Sequence, residues 1–343
     1  MIVHFNIFMM GCLMKVISVI VSSLFLLIFS SPVFSNTSLS QHSAVQACIA
    51  RVSKDASDHV TIGDIRKQCN KEIQDPIKKR LVLEKNASTN PFAIIPHKPN
   101  YFLPFTYFDA NKTPYNDILQ GRDFDDIEAK FQVSLKYVIT EDLFVKNLNL
   151  NAAFTATSWW QSYNSDISAV FRETNYEPEI ILSYSQPWSL LGLNIDHSTL
   201  SFNHQSNGQA GTLSRSWNRL IVGLTVVDDN LIWNLKAWYR LPEDKKPDVN
   251  SPLGDDNPNI ENYLGYGELG LLWKVNEYHN IDFLLRNNLK SDNKGAVQIG
   301  WSFPLSKHLR GYVEYFNGYG ESLIYYNENI SRIGVGVKLT DWL

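Results

Sequence analysis

The chain is predicted to be all-β, a twelve-stranded antiparallel transmembrane β-barrel. From residue 96 onward, runs of about ten residues alternate apolar with polar, and Asn/Asp/Gly/Pro clusters punctuate them. A short apolar leader precedes the whole, and no later segment is apolar enough for a helix to span a bilayer, so a membrane location requires a closed barrel. With 13% aromatic and 19% charged residues and a net charge of −4, the 343 residues resemble neither a disordered chain nor a nucleic-acid binder.

Residues 1–35 read as a secretory signal. Met14 and Lys15 give a basic start, an apolar run follows, and small residues at Ser30, Ser31 and Ser35 set cleavage near Ser35 and Asn36, with Met14 an alternative start. A transmembrane anchor is the weaker reading, because the apolar core is short of the roughly 20 residues a span needs. Lipoprotein attachment at Cys12 is weaker still, since little apolar sequence precedes it.

Residues 36–95 form a polar, aromatic-poor extension expected to be helical or partly ordered and to lie in the periplasm. It holds Cys48 and Cys69, expected to pair in an oxidising compartment; two free thiols are the alternative, because spacing alone does not bring two Cα atoms together.

Residues 96–343 carry the barrel. Strands are expected near 103–109, 128–139, 143–160, 173–186, 198–206, 216–227, 231–241, 262–273, 279–288, 296–303, 308–316 and 331–342. The seventh shows the pattern: Leu231, Trp233, Leu235, Ala237, Tyr239 and Leu241 share one face, and Asn234, Lys236 and Arg240 the other. Ile333, Val335, Val337 and Leu339 repeat it against Arg332, Lys338 and Thr340. A soluble sandwich also alternates, so the leader and the aromatics at strand ends favour the membrane. The even strand count and the contrast between the long 242–262 connection and the short turn at 228–230 fit a bacterial outer-membrane barrel.

The stretch "SFNHQSNGQAGTLSRSWNRL", residues 201–220, breaks the apolar face. Leu200, Phe202, His204 and Ser206 share one face of a strand; Asn218 shares the corresponding face of the next with Leu220, Val222 and Leu224. A hairpin centred near Gly211 sets His204 opposite Asn218, with Cβ atoms roughly 5 Å apart, and Ser206 one pleat nearer the loop. A hydroxyl, an imidazole and an amide in line have the logic of a serine hydrolase: Ser206 as nucleophile, His204 as base, Asn218 as the group that fixes the tautomer. On a lipid-facing surface a neutral amide suits the third role, where a carboxylate would cost several kcal/mol in desolvation. The outward placement points to a lipid ester as substrate. Against this stands the ordinary occurrence of polar residues at strand ends.

"HQSNGQAGTLSRSWNRL" (204–220) resembles the signature H-D-S-N-G…S-R-S-W-N-R-L of the outer-membrane phospholipase A family. The likeness continues in "NPFAIIPHKPNYFLPFTY" (90–107), "SWWQ" (158–161), "FRETNYEPE" (171–179), "DDNPNIENYLGYGEL" (255–269) and "GYGESLIYYN" (318–327), and so covers roughly residues 90 to 343. The resemblance implies a twelve-stranded barrel in the outer membrane of a Gram-negative bacterium. It further implies a calcium-dependent phospholipase with A1 and A2 activity, also acting on lysophospholipids, activated by homodimerisation. Carried over, His204, Ser206 and Asn218 form the triad and the Gly208 N–H serves the oxyanion. Calcium is held by Ser214, the carbonyl of Gln209 and the carbonyl of Ser168 from the partner, with Asp256 a member of a second calcium site.

Three departures stand out. Gln205 replaces the family's acidic residue and is expected to point inward, Gly211 replaces an aspartate of the second calcium site, and Ala156 stands where some members carry a polar residue at the dimer face. Glu173, Asn175 and Glu177 share a face as a possible carboxylate pair, but barrel interiors routinely hold such groups. His97, His279 and His308 fall at strand boundaries, where interfacial roles are expected. The competing reading from another class is a non-catalytic pore or structural barrel; an outer-membrane lipase acting on lipopolysaccharide acyl chains would share the chemistry and differ in headgroup.

Overall fold

A computed structural model of the chain describes residues 46, 48–50, 52–53, 60–74, 76–109, 115, 123–248, 250–251, 253–306 and 309–340. The expected leader, Cys12 and His308 lie outside the described residues. The chain divides into two compact units, Met1–Ile73 and Gln74–Leu343.

In the first unit, helix α1 (Ile62–Gln74) starts at Thr61, whose hydroxyl accepts from the Asp64 N–H at 3.1 Å while the Asp64 carboxylate accepts from the Thr61 N–H at 3.2 Å. The expected disulfide is present: Cys48 and Cys69 are bonded, and with Ile65 they make a small buried cluster flanked by Ile49 and Val52.

In the second unit, helix α2 (Pro76–Ser88) leads into twelve strands: β1 (Asn100–Asp109), β2 (Ile127–Thr140), β3 (Leu148–Trp160), β4 (Phe171–Tyr184), β5 (His197–Ser206), β6 (Ser216–Asp228), β7 (Leu231–Arg240), β8 (Gly267–Lys274), β9 (Asn280–Asn287), β10 (Gly295–Pro304), β11 (Arg310–Tyr319) and β12 (Asn329–Thr340). Each pairs antiparallel with its neighbours, and β12 pairs with β1, so the sheet closes on itself. Closure satisfies every edge, which a bilayer demands. The predicted all-β, twelve-stranded antiparallel barrel is the fold observed.

The faces divide as expected. On β7, Trp233, Leu235 and Tyr239 are exposed outward, while Asn234, Trp238 and Arg240 are buried inward. On β12, Ile333, Val335 and Leu339 face out and Arg332 and Lys338 are buried. Two expected strand starts do not form. Residues 143–147 are a turn, with Asn147 in the left-handed region at φ 65° and its N–H held by Asp142 Oδ1 at 2.5 Å. Residues 262–266 fall in helix α3 (Glu261–Leu264) and its Gly265 cap at φ 68°, because the inward-packed Ile260 and Leu264 recur at helical spacing.

The interior is cross-braced by ions. Arg172 of β4 meets Glu128 of β2 at 2.9 and 2.7 Å, Arg332 of β12 reaches the same carboxylate at 2.9 Å, and Lys130 meets Glu314 at 2.6 Å. A second group joins Lys98 to Glu177 at 2.7 Å and Arg219 to Glu177 at 3.2 Å, beside an internal cavity of about 400 Å³. Glu173 and Asn175 bond each other at 2.8 Å and the backbone of 323–324, so this face is structural, as expected for barrel interiors. His97 departs from its expected interfacial place: it turns inward, 3.3 Å from Glu179. The short run Ile95–Pro96 pairs with β2 and draws the adjoining residues into the lumen, which strand-boundary reasoning does not capture.

Long connections such as 161–170 and 241–266 gather at one end, and short turns such as 229–230 and 275–279 at the other, the asymmetry of outer-membrane barrels whose long loops face outside the cell. Beneath the long loops two buried clusters fill the barrel. One is built on Trp217, Trp238, Ile260 and Leu264, the other on Phe124, Ile167, Leu213 and Tyr325. They give the loops at this end a rigid seat.

Candidate active site

β5 and β6 are partnered with His197 opposite Thr225, which sets His204 opposite Asn218 and Ser206 opposite Ser216. This is the pairing that the constant-sum hairpin predicts. Because side chains alternate, His204, Ser206 and Asn218 stand on the outer face with Leu200, Phe202, Leu220 and Val222, each of which is exposed. The three polar residues are themselves only half-buried.

The imidazole is held at one nitrogen: His204 Nδ1 lies 2.8 Å from Asn218 Oδ1. An amide oxygen accepts only, so this contact puts the proton on Nδ1 and leaves Nε2 with a lone pair. Ser206 follows His204 by one pleat on the same face, and its hydroxyl makes no hydrogen bond among the described residues, so it is at liberty to turn toward the ring. Gln205 points inward as expected, its Oε1 accepting from Trp217 Nε1 at 2.8 Å, while Arg219 lies 4.0 Å from the Trp217 ring. These inward contacts lock the backbone that carries the outward groups.

The loop 207–215 is organised by a residue the sequence did not single out. Buried Asn207 donates to Leu213 O at 2.8 Å and accepts from the N–H groups of Gln209 at 3.2 Å and Arg215 at 3.0 Å. It replaces the ladder that the turn abandons. Gly208 beside it sits at φ 65°, and a Cβ there would lie 3.2 Å from the Tyr176 ring. Only glycine adopts this turn without strain. The Gly208 N–H has no acceptor among the described residues, two residues past Ser206.

Of the residues expected to hold calcium, Ser214 and Asp256 come together. The Ser214 hydroxyl donates to Asp256 Oδ2 at 2.9 Å, and so does the Ser216 hydroxyl at 3.0 Å; Lys246 pairs with Asp256 Oδ1. With its proton directed at Asp256, the Ser214 oxygen keeps lone pairs for a cation, beside a cavity of about 210 Å³ lined by Gly211, Thr212, Arg215 and Lys246. The Gln209 carbonyl accepts no hydrogen bond among the described residues. Ser168 lies on the β3–β4 loop at φ 60°, exposed, and its carbonyl is likewise without a donor among the described residues. These are hard oxygens, the donor type calcium takes, so Ser214, Gln209 and Ser168 fit it. Asp256 is already neutralised by Lys246, and Gly211 offers no side chain, so the second site lacks a free carboxylate.

The Phospholipase A1 family profile matches residues 77–339. The chain belongs to that family. Phospholipase A1 of Escherichia coli K12 is 36% identical over 255 residues, 74% of this chain and 83% of the relative. The solved Salmonella typhi outer membrane phospholipase, a dimer with bound calcium, superposes with a TM-score of 0.67 at 35% identity, covering 74% of this chain and 94% of that one. An Escherichia coli outer membrane phospholipase A in which an active-site asparagine is changed to alanine gives the same TM-score at 34% identity, over 74% of this chain and 94% of the other. This family member is a multi-pass β-barrel of the outer membrane.

One neighbour of the site was not legible in the sequence. Glu243, on the 241–266 loop, accepts from Asn218 Nδ2 at 3.0 Å, and Leu241 N bonds Asn218 O at 2.8 Å.

Proposed function

We propose that the chain is a phospholipase that hydrolyses the sn-1 and sn-2 acyl esters of phospholipids and lysophospholipids in the outer membrane, using Ser206, His204 and Asn218, with calcium as cofactor and a homodimer as the active form. The observation that carries this reading is the 2.8 Å contact between His204 Nδ1 and Asn218 Oδ1 on the lipid-facing surface. The relative whose active-site asparagine was mutated supports the amide as third member.

In this reading His204 Nε2 takes the Ser206 proton as Oγ attacks the acyl carbonyl, and the Gly208 N–H donates to the developing oxyanion. The protonated His204 then delivers its proton to the departing glycerol oxygen, leaving an acyl-Ser206 ester. Water, deprotonated by the same nitrogen, cleaves that ester and restores the hydroxyl. Ser214 and the Gln209 carbonyl, with Ser168 of the partner subunit, would hold the calcium, which supplies positive charge near the oxyanion when bound.

The convex outer face argues for the dimer. A single barrel offers an acyl chain one side of a wall, and only a second surface turns that wall into a cleft able to desolvate it. Ala156, Tyr176, Ser206 and Ser216 are successive partners across β3 to β6, so the surface beside the nucleophile is an aromatic and small-residue row suited to close packing.

The test is fatty-acid release from mixed-acyl phosphatidylcholine micelles by refolded protein, in calcium and in chelator, with Ser206→Ala beside it. Release in calcium, lost in chelator and at least 10³-fold lower in the variant, is the expected result. Release that survives Ser206→Ala would exclude this nucleophile.

A further inference from the structure

The contact between Glu243 and Asn218 bears on a choice the triad itself cannot make. An asparagine can present either its oxygen or its NH₂ to a neighbour, and the two are nearly the same shape. With the oxygen toward His204 Nδ1, the ring carries its proton there and keeps Nε2 as a base. With the NH₂ toward it, Nδ1 becomes the acceptor, the proton moves to Nε2, and the lone pair needed by Ser206 is lost. Something must select between them.

We propose that Glu243 is a positioning residue for the hydrolytic reaction, holding the Asn218 amide in the one orientation that leaves His204 competent as a base. An ionised carboxylate only accepts, so at 3.0 Å from the amide nitrogen Glu243 admits the NH₂ and rejects the oxygen. The flipped amide would set Oδ1 against Oε1, a repulsive contact in a partly dehydrated place. The bond from N–H to carboxylate also polarises the amide and makes Oδ1 the stronger acceptor for an imidazolium as charge develops. The series Ser206, His204, Asn218, Glu243 thus places a negative charge behind the amide, on a loop at the rim, rather than on the lipid-facing strand.

The location supports the assignment. Asn218 is anchored at its carbonyl by Leu241 N at 2.8 Å, so the loop carrying Glu243 is tied to the backbone of the residue it orients. Its further course is held by Arg240 to Asp255 at 2.5 Å and by Lys246 to Asp256. Glu243 is half-buried, and among the described residues Asn218 is its one side-chain hydrogen-bond partner.

The inference rests on the proposed triad, and the test separates the two. Initial rates of ester hydrolysis are measured in mixed micelles with saturating calcium on the full chain carrying Glu243→Gln, Asn218→Ala, Asn218→Asp, and Glu243→Gln combined with each. Folding of every variant is checked by heat-modifiable mobility of the barrel. Glu243→Gln is expected to lower kcat about three- to tenfold with KM unchanged, because the amide then samples both orientations. In the Asn218→Ala background it is expected to have no further effect. In the Asn218→Asp background its sign reverses: removing one of two facing carboxylates raises kcat, which a loop residue serving stability alone would not do. Wild-type kcat in Glu243→Gln beside a defective Asn218→Ala would overturn the positioning role and leave the triad standing. Wild-type kcat in Asn218→Ala would overturn the triad itself.

Discussion

Gly208→Ala tests the oxyanion site through its backbone alone. Gly208 sits at φ 65°, where an L-residue with a Cβ costs about 1–2 kcal/mol, and the added carbon would meet the Tyr176 ring at 3.2 Å, which the ring edge can relieve by a small shift. The resting variant relaxes out of this turn, and it must take up that strain again to aim the N–H beside Ser206 for reaction. At 1.36 kcal/mol per factor of ten, 1–2 kcal/mol predicts a kcat reduced roughly five- to thirtyfold. If the turn is not regained at all, the donor is lost, and the effect rises toward the 10²–10³ of a missing oxyanion donor. Fatty-acid release under saturating substrate and calcium reads the effect, and Tyr176→Ala with Gly208→Ala recovers only the part due to the ring. A Gly208→Ala enzyme with kcat within twofold of wild type and an intact barrel would show that this N–H does not serve the oxyanion.

Two further predictions concern charge. Glu128 is fully buried between Arg172 and Arg332, so Glu128→Gln leaves the buried Arg172 guanidinium without its carboxylate while Arg332 keeps Glu321; about 3–5 kcal/mol of stability is expected to go, read as a lowered urea midpoint of the refolded barrel, and an unchanged midpoint would refute it. Lys246→Met releases Asp256 Oδ1 beside Ser214, and calorimetric titration is expected to show calcium bound several-fold more tightly, about 1 kcal/mol; a titration identical to wild type would mean that Lys246 does not compete with the cation.

Barrel and triad register were legible because both depend on a period of two. Alternation assigns Leu235 and Tyr239 to the lipid and Asn234 and Arg240 to the lumen, and the same parity, applied across one turn, sets His204 opposite Asn218. What escaped lies where period two ends. Asn207 organises its loop by side-chain bonds that no spacing announces, Glu243 reaches Asn218 from 25 residues away, and Lys246 meets Asp256 through a connection whose composition reads only as polar. His97 shows the same limit, since its inward turn follows from the short pairing at Ile95–Pro96. The strand starts misjudged at 143 and 262 were turn and helix residues whose apolar side chains mimic a strand.

The distribution of charge connects these findings. Inside the barrel, carboxylates and guanidinium groups can be buried where an opposite charge lies within about 3 Å, as at Glu128 and Arg172. On the outer face no such partner is at hand, and a bare carboxylate behind the imidazole would face lipid. Asn218 resolves this by making the strand position neutral, but a neutral amide has lost the asymmetry that makes a carboxylate an unambiguous acceptor. Glu243 restores it from the loop at the rim, off the lipid-facing strand, where its single contact decides which end of the amide meets His204. The cost of charge in the membrane and the need for a defined tautomer are therefore met by different residues on different elements. This division predicts that changes at Glu243 will be felt in kcat before they are felt in the stability of the barrel.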